Sequence, residues 1–304
     1  MGIVPYDNQS SISMMHRYRV FNGYRNYQHH SSYFPSGAYK TTHGGHSTDS
    51  IITRNYSSKD YESFKVYELR IKYFFHQRWE VNAFASIVNN RSKEDSVKIN
   101  HTGFSDPSFF IGYHILQPKA DQKIKQRLVL GVGLKMPSGN YYVMDSNKKR
   151  LPFLMQPGTG SVDAFNYVNY MLGYRNIGIS TTANVKYNGS NFYMERVGNS
   201  FTNFSSVFYK FNTKKWSFIP SINSYYEYTK GLFVKEELTE GTEMNEFMLG
   251  LGLDVFYKNL GLNCGVQKTL HQHYHENSLT SVGRLFVSLT YNFDQRKYLI
   301  RSKD

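Results

Sequence analysis

The stretch EMNEFMLGLGLDVFYKNLGLNCGVQ, residues 243–267, sets Phe247, Leu249, Leu251, Leu253, Val255 and Tyr257 on every second position, with Met248, Gly250, Gly252 and Asp254 between them. A period of two sends the two sets to opposite faces of one extended ribbon, so the segment is a β-strand that is apolar on one side only. A fold that accepts it must cover a leucine face and still leave a face of glycine and charge in polar surroundings.

The composition carries the same tension. Aromatic residues make up 16% of the 304-residue chain, with 26 Tyr and 22 Phe, yet the mean hydropathy is −0.54. Alternating strands reconcile the two, because half of each strand can be strongly apolar while the average stays hydrophilic. No apolar run approaches the roughly 18 residues of a membrane helix, so helical spans are excluded. The single cysteine, Cys264, excludes an intrachain disulfide and a cysteine-based metal knuckle. The first residues, MGIVPYDNQSS, have neither a basic stretch nor an apolar core, and no leader peptide is expected among them. The net charge of +13 raises nucleic acid as a partner, but the basic residues are spread over connections (Lys119, Lys123, Lys125; Lys148, Lys149, Arg150; Lys214, Lys215) without a stripe or motif, so no nucleic-acid partner is expected.

Alternating segments recur over 10–24, 63–78, 79–91, 106–118, 125–137, 161–175, 177–188, 201–212, 216–229, 244–257, 260–270 and 281–293. That is about twelve strands, an even number, and no linker or shift in composition divides them. The expectation is one all-β domain over 1–304, a transmembrane antiparallel up-and-down β-barrel. Long connections (25–62, 92–105, 138–160, 189–200, 230–243, 271–280) follow odd strands, and short ones such as Arg175-Asn176 and Lys258-Asn259 follow even strands. Long loops on one rim and tight turns on the other are the pattern of bacterial outer-membrane barrels, with the tight turns in the periplasm. This predicts an outer-membrane location, with outer-membrane lipid and lipopolysaccharide as surroundings, 25–62 as a long extracellular loop and 294–304 as a periplasmic tail.

The faces agree. In RLVLGVGLKM, Leu128, Leu130, Val132 and Leu134 oppose Val129, Gly131, Gly133 and Lys135; in YELRIKYF, Tyr67, Leu69, Ile71 and Tyr73 oppose Glu68, Arg70 and Lys72. Charges in mid-strand argue against a dry sandwich core, whereas a wet lumen accommodates them. The last strand, RLFVSLTYNF, ends on an aromatic, Phe293, and resembles the signal read by the outer-membrane assembly machinery.

A family resemblance sits in Gly133-Leu134-Lys135-Met136-Pro137-Ser138-Gly139 and in Pro157-Gly158-Thr159-Gly160-Ser161-Val162-Asp163, just before a strand. The segment 131–189 resembles the outer-membrane barrel family labelled as the putative MetA pathway of phenol degradation, and GIVPYDNQSSISMMHRYRVFNGY resembles transporters of this type from Gram-negative Bacteroidota. The resemblance implies a barrel that moves small molecules; its pathway label is not carried over as a substrate. Read as residues, the second motif is a loop-to-strand corner, with Gly158 and Gly160 free to take positive φ, Pro157 stiffening the entry and Asp163 placed to accept backbone hydrogen bonds.

Candidate lumen residues are Arg17, Arg19, Glu68, Arg70, Lys72, Glu80, Lys135, Lys186, Glu227 and Asp254. Such charges either select which solutes enter or pair across the lumen. Histidines in the long loops (His29, His30, His43, His46, His271, His273 and His275) offer imidazoles to a transition metal, although no carboxylate or cysteine completes a set and no cofactor is required. His275, Asn277 and Ser278 do not form the constellation of a barrel phospholipase, so an enzyme is not expected. The expected function is a channel or transporter for a small solute. The competing class is a plugged receptor or structural barrel subunit whose histidine-bearing loops hold a metal ion or a partner protein.

Overall fold

In the computed structural model the described residues are 9–24, 60–94, 97–118, 122–145, 148–239, 242–273 and 279–293. They form a closed antiparallel barrel of twelve strands, joined in chain order. The strands are β1 (Ser10–Tyr24), β2 (Tyr61–His76), β3 (Trp79–Glu94), β4 (Val97–Phe104 and Ser108–Leu116), β5 (Ile124–Lys135), β6 (Asp163–Tyr174), β7 (Ile177–Asn188), β8 (Ser200–Tyr209, continued by Phe211–Asn212), β9 (Trp216–Thr229), β10 (Met244–Tyr257), β11 (Leu260–His273) and β12 (Leu279–Phe293). β1 pairs with β12 from Ser10 opposite Phe293 to Tyr24 opposite Leu279, so the sheet has no free edge.

The barrel is inside-out relative to a soluble fold. Among the described residues, buried polar and charged side chains outnumber buried hydrophobic ones, while the leucine faces lie outward, Leu251 at 64% exposure and Leu289 at 56%. Aromatic rings mark the rim of short turns: Trp79 packs against Tyr113 with centroids 4.8 Å apart, and Trp216 against Tyr257 at 4.6 Å. Phe104, Tyr187 and Tyr228 stand outward near the opposite rim. An outward apolar band between aromatic girdles is the surface of a lipid-facing barrel. The two-residue turns Arg175-Asn176 and Lys258-Asn259 each hold their first residue at φ 52°. In the loop between β9 and β10, Lys235 and Glu236 both take positive φ, the requirement of the tight hairpin that joins Leu232–Val234 to Glu237–Thr239.

One expectation is corrected. The connection expected over 92–105 is not a long loop: Val97–Phe104 pairs with β3 from Glu94 opposite Val97 to Ile87 opposite Phe104. This hairpin rises past the apolar band, and its outward side chains bond one another, Asn89 donating to Asn100 Oδ1 at 2.9 Å and Thr102 Oγ1 at 2.8 Å. A bulge at 105–107 then sets three residues against two of β3, since Phe104 lies opposite Ile87 and Ser108 opposite Phe84. Of the first loop, Tyr61 and Glu62 belong to β2. Residues 25–59 and the tail 294–304 lie outside the described residues.

Candidate functional site

The bulge decides what happens at the loop rim. It turns Asp106 inward, where Gly139 N–H donates to Oδ1 at 2.9 Å, Thr159 N–H and Oγ1 donate to Oδ2 at 2.8 and 3.0 Å, and Lys135 Nζ donates to Oδ2 at 3.0 Å. The two glycine-containing motifs, far apart in sequence, thus meet on one carboxylate. Lys135 also pairs with Asp163 at 2.8 Å, and Asp163 pairs with Lys186 at 2.8 Å while accepting from Gly189 N–H at 3.2 Å. At this corner Gly160 takes φ +69°, whereas Gly158 does not take positive φ and serves close approach instead, since a Cβ there would lie 2.8 Å from Asp106 Oδ1.

Held at both ends, the loop between β5 and β6 lies over the barrel mouth. Its short 3-10 turn, Phe153–Met155, puts Met155 at 0% exposure against Phe21, Leu151 and Leu279. Asn90 of β3 donates to Met155 O at 3.2 Å, and Gln156 ties the loop to itself through Val143 N–H at 2.8 Å and Leu151 O at 2.9 Å. Phe153 packs with Leu232 of the neighbouring loop, so two loops share the cap.

Below it are two cavities of about 370 Å³ each. The first, beneath the loop, is lined by Arg17, Arg19, Arg284, Tyr225, Glu227 and Leu154 among others. Here side chains reach far across the barrel: Arg19 of β1 pairs with Glu227 of β9 at 2.9 Å and with Glu246 of β10. Glu246, fully buried, also accepts from Thr269 Oγ1 at 2.7 Å. Arg284 stacks on Tyr225 with its guanidinium carbon 3.5 Å from the ring centroid, donates to Gln267, and Gln267 donates to Asn223. Arg17 meets Glu68 at 3.0 Å, and Arg70 donates to the same carboxylate from the second cavity.

The second cavity lies towards the short-turn rim, mostly against β2 to β8, with Ser11 and Ser13 of β1 and Ser288 and Thr290 of β12 closing it. Arg70, Lys72, Arg127 and Lys186 line it together with Glu80, Asn82 and a set of aromatic rings. Glu80 is engaged by His114 at 3.0 Å, Asn82 at 3.1 Å and Tyr167 at 3.3 Å. Tyr167 reaches Glu80 by lying flat over Gly131 and Gly112, where any Cβ would collide with its ring or hydroxyl.

All ten candidate lumen residues stand on the inner face, but they divide by role. Arg17, Arg19 and Glu227 line the first cavity; Arg70, Lys72, Glu80 and Lys186 line the second. Lys135 is buried in the Asp106–Asp163 corner, Glu68 is buried between Arg17 and Arg70, and Asp254 is buried against Asn263. Sequence reasoning did not single out Arg127, Arg284, Asp106, His114 or Glu246. For Arg127 and Glu246 the signal exists, since each alternates with an outward leucine or phenylalanine. His271 and His273 are exposed at the end of β11, with His43, His46, His275, His29 and His30 outside the described residues. Among the described residues, no group of three or more His, Cys, Asp or Glu side chains converges as metal ligands would. Cys264 sits half-buried on the outward face of β11.

No protein-family model matches the sequence, and no curated protein matches it. A crystal structure of an outer membrane channel from Pseudomonas putida F1 superposes with a TM-score of 0.67, covering 96% of this chain and 100% of that one at 13% identity. The closed antiparallel β-barrel of that protein is also the fold of this chain. The beta domain of the Bordetella autotransporter Brka also matches, with a TM-score of 0.53 and 9% identity, over 94% of this chain and 100% of that one. At these identities the likeness to the channel fold is one of architecture, and neither name carries a phenol-degradation label.

Proposed function

We propose that the protein resides in a bacterial outer membrane, surrounded by lipid and lipopolysaccharide, and passes small solutes through its lumen. The observation that carries this reading is the pair of cavities, each with charged side chains on its wall, inside a barrel whose outer face is apolar. A barrel built only as an anchor has no need to line a cavity with charged side chains such as Arg70, Lys72 and Glu80. The loop pinned to Asp106 covers the mouth, so conduction is restricted and depends on that cap. Passage is by diffusion along the charged wall, without a cofactor.

The test is single-channel current from the purified, folded protein in a planar bilayer. Small, steady openings are expected, and they grow when Asp106→Ala releases the loop. The capped mouth also favours a second reading, a receptor or structural barrel that presents its loops to a partner protein or a metal ion. Absence of current in both the parent and the Asp106→Ala protein, with barrels verified by heat-modifiable migration, would decide for that reading.

A further inference from the structure

We propose that the outer face of β1 to β4 binds one phosphorylated acyl-glycolipid of the outer leaflet, an inference that rests on the outer-membrane residence proposed above. The lower part of this face is an open groove of about 480 Å³, walled by Met14, Leu69, Ile87, Phe104 and Leu289. It forms where a short outward side chain, Ala85, stands beside the bulge at 105–107, with Leu69 directly opposite on β2 and Phe104 one step up on β4. An acyl chain lying in it covers apolar surface on both flanks. At its upper end the His16 ring stacks on Tyr67 with centroids 4.6 Å apart, and the leucines stop there.

Above the groove the same face turns polar and then cationic. The strand registers set His16, Tyr67, Ile87 and Phe104 in one row across the four strands. Two residues nearer the loop rim the row reads Tyr18, Lys65, Asn89 and Thr102, followed by Arg91 opposite Asn100 and Lys93 opposite Lys98. Asn89, Asn100 and Thr102 form a ledge of amides and a hydroxyl, the groups that meet sugar hydroxyls. The four cations share the outward face with that ledge. Lys65 Nζ lies 5.5 Å from the Tyr18 ring centroid, Arg91 donates to Asn89 Oδ1 at 2.9 Å, and among the described residues none of the four pairs with a carboxylate. Lys93 and Lys98 stand directly opposite each other, where like charges repel. A phosphate between them converts that repulsion into charge-assisted hydrogen bonds. At a strand rise of about 3.3 Å per residue, Arg91 stands about 13 Å beyond Ile87. That is the reach of a sugar headgroup, and more than the few ångströms between the phosphate and the acyl esters of a glycerophospholipid.

The full-length protein in detergent is titrated with bisphosphorylated lipid A, with lipid A stripped of its phosphates, with phosphatidylglycerol and with inorganic phosphate, and retained ligand is counted by native mass spectrometry. One lipid A per barrel is expected, held at least about tenfold more tightly than either other lipid and not displaced by inorganic phosphate. Arg91→Gln with Lys93→Gln and Lys98→Gln should erase the preference over the dephosphorylated lipid. Ala85→Phe should fill the groove and weaken both forms of lipid A alike, while Lys214→Gln with Lys215→Gln, at the short-turn rim, should change neither. Heat-modifiable migration verifies that each variant is a barrel. Equal retention of the two forms of lipid A, or a preference that survives the triple substitution, would overturn the site. Phosphatidylglycerol held as tightly as lipid A, or displacement by inorganic phosphate, would overturn the glycolipid as its occupant. Residence is tested apart, by density fractionation of cells: a chain found with the inner membrane overturns the residence, and lost selectivity in a chain found with the outer membrane overturns the site alone.

Discussion

The wall formed by β9 to β12 with β1 and the wall formed by β2 to β8 follow the same inside-out alternation, yet the cavity at the short-turn end is lined mostly by the second. On the first wall, polar side chains find partners across the barrel: Arg19 on Glu227 and Glu246, Arg284 on Tyr225. Such bonds are chords, and they border the first cavity rather than the second. On the second wall, partners lie along the surface: Asn169 on Thr182 of the next strand at 2.8 Å, Asn82 on Glu80 two residues away, Tyr167 flat over glycine. Where free volume lies in a barrel of this size is thus set by the direction in which inner side chains find their partners as well as by strand number.

The comparison can be broken or sharpened by substitution. Arg19→Ala should have the largest effect, destabilising the barrel by about 3–5 kcal/mol because buried Glu246 loses its cation. Urea titration followed by tryptophan fluorescence checks this, and a loss no larger than that of a wall-hugging residue would end the distinction. Asp106→Ala should cost about 1–3 kcal/mol, with Lys135 retaining Asp163, and should raise conductance more than it lowers stability. Gly131→Val should cost a similar 1–3 kcal/mol by lifting Tyr167 from the wall, and should cut the current by narrowing the second cavity. Lys72→Gln should be the smallest, under about 1 kcal/mol in the same titration. A cost as large as that of Arg19→Ala would show that Lys72 acts as a chord.

Much of the fold is legible in the sequence because lipid enforces alternation. The spans 10–24, 177–188, 216–229 and 244–257 emerge to the residue, bounded by turn residues and carrying apolar or aromatic side chains on the outward face. The hairpin at 87–104 is not legible, for the same reason: above the apolar band its outward positions, Asn89, Arg91, Asn100 and Thr102, are as polar as the inward ones, and the period fades. The aromatic lining of the second cavity is hidden differently. Phe110 stands between Phe109 and Ile111, so hydropathy alone does not say which of the three faces inward. Alternation also gives the face of a charge but neither its height nor its angle around the barrel. It places Arg19 and Glu246 inside without revealing that they meet.

The bulge at 105–107 separates two properties that a barrel wall usually ties together. Inner positions above it are odd, as at His101 and Gly103, and those below it are even, as at Ser108, Phe110 and Gly112. Removing Asp106 alone would restore one unbroken alternation from Gly103 to Ser108, a strand with no face misplaced. Assembly into the membrane and anchoring of the cap at this corner are therefore encoded by different letters: the barrel is written in a pattern that survives the deletion, and this anchor of the cap is a single inserted carboxylate. A change of one residue in the length of one strand thus loosens or fastens the lid at this corner without redesigning any loop.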